Sequence, residues 1–176
     1  MKFIKTPLEG AYLVEIDPHV DERGFFARTW CRDEALAHGL NPNVVQCSIS
    51  INNKRGTLRG LHYQDEPFPE TKWVRCNAGA IYDVIVDLRP ASPTHTKWFG
   101  AELTADNHKM LYVPEGFAHG FQTLTDMAEV AYQISEIYRP ESARGVRYND
   151  PRFGIKWPMS DPVISARDLS FPDYLL

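Results

Sequence analysis

The chain's thirteen prolines and eleven glycines are spread along its 176 residues rather than gathered into a linker. Their spacing limits the accessible folds more than any other feature. Neither residue is tolerated well inside a helix, so the uninterrupted segments are short. Segments 44–51, 71–76, 80–88, 98–104, 108–113, 120–124 and 129–137 are rich in β-branched and aromatic residues and read as strands. Turn signals separate them: Asn77-Ala78-Gly79, Arg89-Pro90-Ala91-Ser92-Pro93, Ala105-Asp106-Asn107, Pro114-Glu115-Gly116 and Leu124-Thr125-Asp126. Short strands so punctuated predict an all-β sandwich or barrel, with the jelly roll as the natural candidate. A short helix is expected over 32–38, ended by Gly39. A second helical turn is expected from Ser165, where Ser165-Ala166-Arg167-Asp168 loosely matches a capping box.

A chain of this length fits one domain, expected to span 1–176, and can bury a core without staples. Hydrophobic residues make up 43% and charged residues 24%, with a formal net charge of −4. That balance carries no electrostatic footprint for nucleic acid, although a local basic pocket can sit on an acidic protein. Cys31, Cys47 and Cys76 are odd in number and lack metal-ligand or redox spacing, so they read as reduced thiols of a cytoplasmic protein. The first residues contain no apolar run of a signal peptide. The longest apolar stretch, 78–86, is broken by Asp83 and too short to span a bilayer. No membrane association is expected.

Strand alternation puts Val130, Tyr132 and Ile134 on one face and Lys72, Val74 and Cys76 on another. If those faces line a barrel, Tyr132 and Lys72 point into a cavity, and a buried lysine asks for an anionic partner such as a ligand. The opposite register leaves Lys72 solvated, and alternation alone leaves both open. Among the six histidines no His-x-His and no His-Glu-x-x-His occurs, so no metal site is expected. His62 and His119 lie in apolar, glycine-rich stretches that suit partial burial, whether as structural or as functional groups.

Those stretches also carry a resemblance. Leu58-Arg59-Gly60-Leu61-His62-Tyr63-Gln64, Lys72-Trp73-Val74-Arg75-Cys76, 82–89, Pro114-Glu115-Gly116-Phe117-Ala118-His119-Gly120-Phe121 and Gly154-Ile155-Lys156-Trp157-Pro158, together with Asp21-Glu22-Arg23-Gly24-Phe25-Phe26, occur in one order along nearly the whole chain. In these strings the sequence resembles the dTDP-4-dehydrorhamnose 3,5-epimerase family. The resemblance implies a cupin-like jelly roll with a few short peripheral helices, a homodimer, no cofactor, and a 4-keto-6-deoxy nucleotide-diphosphate sugar as substrate. In such a sugar the C4 ketone acidifies the hydrogens on C3 and C5. Inversion at either carbon needs a base on one face and an acid on the other.

By the same resemblance His62 is the base, Asp168 the carboxylate that orients it, Tyr132 the opposing acid, and Lys72 the cation near the enolate oxygen. Asp168 also fits the capping box, and both roles are compatible. Arg59 and His119 would hold the substrate, with Arg59 suited to a phosphate oxygen. Arg23, Gln46, Ser48 and Arg167 would bind substrate or nucleotide, and Tyr138 would stack on the base. The sequence leaves open whether C3, C5 or both are inverted, and which nucleotide is used. The chain departs from the family pattern at Cys47-Ser48-Ile49, at Arg28 and at Ala143, the last two where glutamates are common. Those changes predict a nucleotide pocket more positive by about three charges and a weakened preference for thymidine over, for example, cytidine. Rival readings are a metal-dependent cupin, which needs clustered histidines and a carboxylate, and a non-catalytic sugar-binding cupin module.

Overall fold

The computed structural model describes residues 1–175. Two sheets pack face to face. The first runs β1 (Lys2–Lys5), β2 (Tyr12–Glu15), β10 (Met110–Val113), β7 (Lys72–Ala78), β12 (Ala128–Ile134), β5 (Gln46–Asn52). The second runs β13 (Ala143–Gly145), β6 (Thr57–Gln64), β11 (Phe117–Thr123), β8 (Ala80–Asp87), β9 (Trp98–Thr104), with β14 (Val163–Ile164) parallel to β6. A small hairpin, β3 (His19–Asp21) with β4 (Gly24–Phe26), stands apart. The fold is the expected all-β, cupin-like jelly roll. Its helices are short: α1 (Arg32–Ala37) and α2 (Ala166–Leu169).

Strand β9 coincides with the expected 98–104, and the other expected strands end within three residues of their predicted bounds. The chief omission is β6, which carries Arg59 and His62. Its Leu-Arg-Gly-Leu-His order gives no clean alternation, and the cause is structural. His62 lies opposite His119, and Arg59 lies opposite Phe121. Two residues of β6, Gly60 and Leu61, therefore face the single Gly120, which is a β-bulge. Residues three apart would point to opposite faces of a regular strand; the bulge returns Arg59 and His62 to the same face. Gly60 is required there. Its φ is 133°, and a Cβ would sit 2.6 Å from the Gly120 Cα.

Three clusters of buried side chains organise the molecule. Between the sheets, Val74, Leu111 and Val130 of the first pack on Ile81, Ile85, Phe117 and Phe121 of the second. Outside the second sheet, Val84 and Val86 are covered by Val146, Phe153 and Trp157 from the C-terminal segment. Strand β8 is thus buried on both faces, which is why 80–88 reads as a nearly continuous apolar run. Outside the first sheet, Ala35 of α1 covers Trp73, Met110 and Tyr112. At the other end of the intersheet space the inward side chains become polar, and there the core opens into a cavity.

Candidate active site

The cavity has a volume of about 590 Å³. Gln46, Ser48 and Ser50 of β5, Tyr132 of β12 and Lys72 of β7 line it from the first sheet, and Arg59, His62, His119 and Phe121 from the second. Of the two registers that alternation allows, the fold takes the one that points Lys72 and Tyr132 inward.

His62 and Asp168 meet although 106 residues separate them. The His62 Nε2 lies 2.9 Å from one carboxylate oxygen of Asp168, and the other oxygen accepts the Gly60 N–H at 3.1 Å. The carboxylate therefore ties the base candidate to the bulge that aims it. Asp168 is held by α2: its own N–H donates to the Ser165 side-chain oxygen at 3.1 Å, so the capping and orienting geometries coexist. Burial alone acts to raise the Asp168 pKa, but the His62 hydrogen bond and charge, the Gly60 N–H and the nearby Arg167 charge outweigh it and hold the carboxyl below its ordinary value. His62 itself keeps 40% of its side-chain surface exposed to the cavity mouth.

Tyr132 stands on the opposite sheet. Burial first, and then the negative charge of Asp83, push its phenol pKa up, against a smaller opposing effect of Arg59. It therefore keeps its proton at neutral pH. The Tyr132 ring meets His119 edge-on, with centroids 6.1 Å apart. His119 in turn binds Asp83 at 2.7 Å through Nε2, while the second Asp83 oxygen has no partner. The wall thus presents two histidine–carboxylate pairs on adjacent strands, with His62 and His119 directly opposite in register.

Other expected site residues fall out as follows. Gln46 and Ser48 line the cavity, and the Gln46 side chain accepts the Tyr138 N–H, holding the half-exposed Tyr138 at the rim. Arg59 lines the wall, its Nε donating to Asn52 at 2.8 Å. Two of the expected substrate residues are not brought to the cavity. Arg23 sits in the turn of the β3–β4 hairpin with its side chain 84% exposed, 2.6 Å from Asp21. Arg167 lies on the exposed side of α2, because the short helix turns Asp168, not its neighbour, toward the barrel.

Two further expectations need correcting. The anionic partner of the buried Lys72 is in the chain itself: Glu70 approaches its Nζ to 2.9 Å. The extra positive charge inferred for the nucleotide pocket is also missing from the cavity wall. Arg28 pairs with Glu34 at 3.1 Å, Ala143 lies in β13 opposite Gln64, and of the departing positions Ser48 and Ile49 are the ones that line the cavity.

Sequence reasoning missed Glu70, Asp83 and Asn52. The first two had detectable signals. Glu70 is two residues from Lys72, within reach of it along the chain, and a lone aspartate inside an apolar run demands a buried partner. Among the described residues, no group of three or more His, Cys, Asp or Glu side chains is gathered to hold a metal ion.

Known proteins share this sequence and fold along nearly the whole chain. A family model described as dTDP-4-dehydrorhamnose 3,5-epimerase matches residues 5–174. The dTDP-4-dehydrorhamnose 3,5-epimerase of Methanothermobacter thermautotrophicus is 43% identical over 170 residues, covering 95% of this chain and 91% of the relative. The crystal structure of the Bacillus anthracis enzyme of that name, with TDP and PPi bound, superposes with a TM-score of 0.94 at 42% identity, covering 98% of this chain and 99% of that one. The Legionella pneumophila dTDP-6-deoxy-D-glucose-3,5-epimerase, in complex with dTDP-4-keto-L-rhamnose, superposes with a TM-score of 0.90 at 36% identity, covering 98% and 92%. With a jelly roll, a two-walled polar cavity and full-length similarity in hand, the chain belongs to the dTDP-4-dehydrorhamnose 3,5-epimerase family.

Proposed function

We propose that this protein is an isomerase that inverts C3 and C5 of a thymidine-diphosphate-linked 4-keto-6-deoxyhexose, with His62 as base and Tyr132 as acid. The observation that carries the mechanism is a carboxylate-bound histidine on one sheet and a half-buried, protonated tyrosine on the other, lining one cavity. With Nε2–H donating to Asp168, the Nδ1 of His62 is left to accept a proton. It takes the hydrogen next to the ketone, and the electron pair moves onto the C4 oxygen as an enolate. Lys72 stabilises that oxygen as its charge grows, and Asp168 stabilises the imidazolium. The Tyr132 hydroxyl then gives its proton to the opposite face of the carbon, completing one inversion. Both groups recover their protonation state from solvent before the second carbon reacts.

Arg59 takes a diphosphate oxygen, and Gln46, Ser48 and Tyr138 flank the nucleoside. Thymidine is favoured over cytidine because the relatives' names specify it and the charge excess expected to loosen that preference is absent from the cavity wall. A metal-dependent cupin has no comparable support, since its ligand cluster is not assembled among the described residues. The whole chain acts as one domain and works as a homodimer. Exposed Val20, Phe25 and Phe26 on the hairpin, with Ile49 and Ile51 on the edge strand β5, support a second copy as their cover. Three unpaired thiols are in keeping with the cytoplasm. Light scattering on the eluted protein should give twice the chain mass; a monomer would remove the dimer from this account.

The deciding experiment is incubation with a dTDP-4-keto-6-deoxyhexose in D₂O, followed by mass spectrometry and NMR. Deuterium is expected at both C3 and C5 with inverted product. No exchange at either carbon overturns the function, and exchange confined to one carbon overturns the double inversion.

A further inference from the structure

Glu70 is the one acidic side chain that lines the cavity itself among the described residues; Asp168 and Asp83 stand behind the lining residues His62 and His119. It sits just before β7, in a segment pinned to the end of β12. The Thr71 N–H donates to the Ser135 side-chain oxygen at 2.8 Å, and the Ser135 N–H donates to the Thr71 carbonyl at 3.1 Å. The Glu70 and Lys72 side chains are only 11% and 10% exposed and lie 2.9 Å apart. The Lys72 Nζ also lies 3.5 Å from the His62 carbonyl oxygen, so its ammonium is kept beside the strand that bears the base. A buried pair of this kind leaves a strongly uncompensated charge when one partner is removed.

This pair divides the cavity electrostatically. Arg59 bonds only a neutral amide, Asn52, and forms no ion pair among the described residues. Arg59 and His62 pair with residues only two apart on β11, so they stand roughly 7 Å apart along the strand direction. Among the described residues Arg59 is therefore the lysine or arginine of the cavity wall left without an ion-pair partner, while the Lys72 charge is paired with Glu70. A diphosphate is attracted to an unpaired ammonium far more than an uncharged ketone is. With Lys72 unpaired, the two cations would compete for the diphosphate and the sugar would bind in the reverse sense.

We propose that Glu70 is a positioning and specificity-determining residue. It holds the Lys72 ammonium beside His62 and cancels its pull on the diphosphate, so that the diphosphate goes to Arg59 and the ketone is left to Lys72. This inference rests on the function proposed above and adds to it the direction in which the nucleotide sugar lies.

The test combines calorimetric titration with inorganic pyrophosphate and steady-state kinetics on the dTDP-4-keto-6-deoxyhexose. Glu70→Gln is expected to bind pyrophosphate roughly fivefold more tightly, the scale of one freed, partly screened charge. Its kcat should fall about tenfold with no rise in KM, the pattern of reversed, unproductive binding. The double variant Glu70→Gln with Lys72→Gln should lose the extra pyrophosphate affinity. Unchanged pyrophosphate affinity in folded Glu70→Gln, or tightening that survives in the double variant, overturns the proposal. Glu70→Asp serves if the glutamine variant does not fold. It keeps the charge but shortens the reach, so wild-type pyrophosphate affinity with reduced kcat is expected, and an undiminished kcat counts against the positioning role. A wild-type protein that exchanges no deuterium removes the epimerase function, while the pyrophosphate titrations still decide the role of Glu70.

Discussion

Asp168 receives two unlike donors, the His62 ring and the Gly60 backbone, on its two oxygens, so its charge serves both the base and the strand that carries it. Asp168→Asn preserves the shape and removes the charge. A loss on the order of 10²–10⁴ in kcat is expected, the range for a disabled general base; wild-type turnover in the folded variant would detach Asp168 from the chemistry. The same carboxyl has a pH signature. Its pKa is lowered in the fold, so its contribution to stability is complete above the unfolded carboxylate value near 3.9 and is lost as pH falls through the lower folded value. Urea midpoints measured from roughly pH 5 down to pH 2 should therefore fall more steeply for the wild type than for Asp168→Asn. Parallel curves would contradict this. Tyr132→Phe should separate the two half-reactions. Product formation is expected to stop, while deuterium still enters with retained configuration because His62 can return a solvent proton to its own face. Equal product formation by variant and wild type would remove Tyr132 from the mechanism.

At the scale of elements, the bulge of β6 decides where the chemistry points. Gly60→Ala brings a Cβ against the Gly120 Cα at 2.6 Å in a backbone conformation that only glycine adopts readily. A destabilisation of at least roughly 1–3 kcal/mol is expected, with activity lost as Arg59 and His62 leave their shared face. Gly39→Ala is the control, since Gly39 also has positive φ but nothing lies within 4 Å of its would-be Cβ. It should be milder in urea denaturation and leave activity intact. Equal effects at the two glycines would show that close packing at the bulge is unimportant. The bulge also explains why 57–64 was not legible as a strand. A period-two pattern interrupted by an extra residue no longer alternates, and nothing within the segment itself reveals the opposing Gly120. Helix α2 was legible, because a cap is a local signal: Ser165 and Asp168 are three residues apart and meet within one turn.

At the scale of the whole molecule, two sheets share an apolar core at one end and a polar cavity at the other. Elemental analysis of the active protein should find no stoichiometric Zn, Fe or Mn, since no ligand cluster is gathered among the described residues. About one ion per chain, with activity lost to a chelator, would contradict the proposed mechanism. The amino-acid sequence by itself determined the all-β class, seven of the fourteen strands, both short helices and the family. These follow from turn residues, β-branched runs, caps and contiguous strings, all of which act over a few residues. Only the tertiary structure decided which register turned Lys72 inward and that its partner is Glu70. It alone left Arg23 and Arg167 outside the cavity and neutralised Arg28 with Glu34. It also joined His62 to Asp168 and His119 to Asp83 across 106 and 36 residues. The physical reason is range. Alternation and capping are set by a residue's chain neighbours, whereas the face a strand presents and the charge a cavity holds are set by side chains from distant segments.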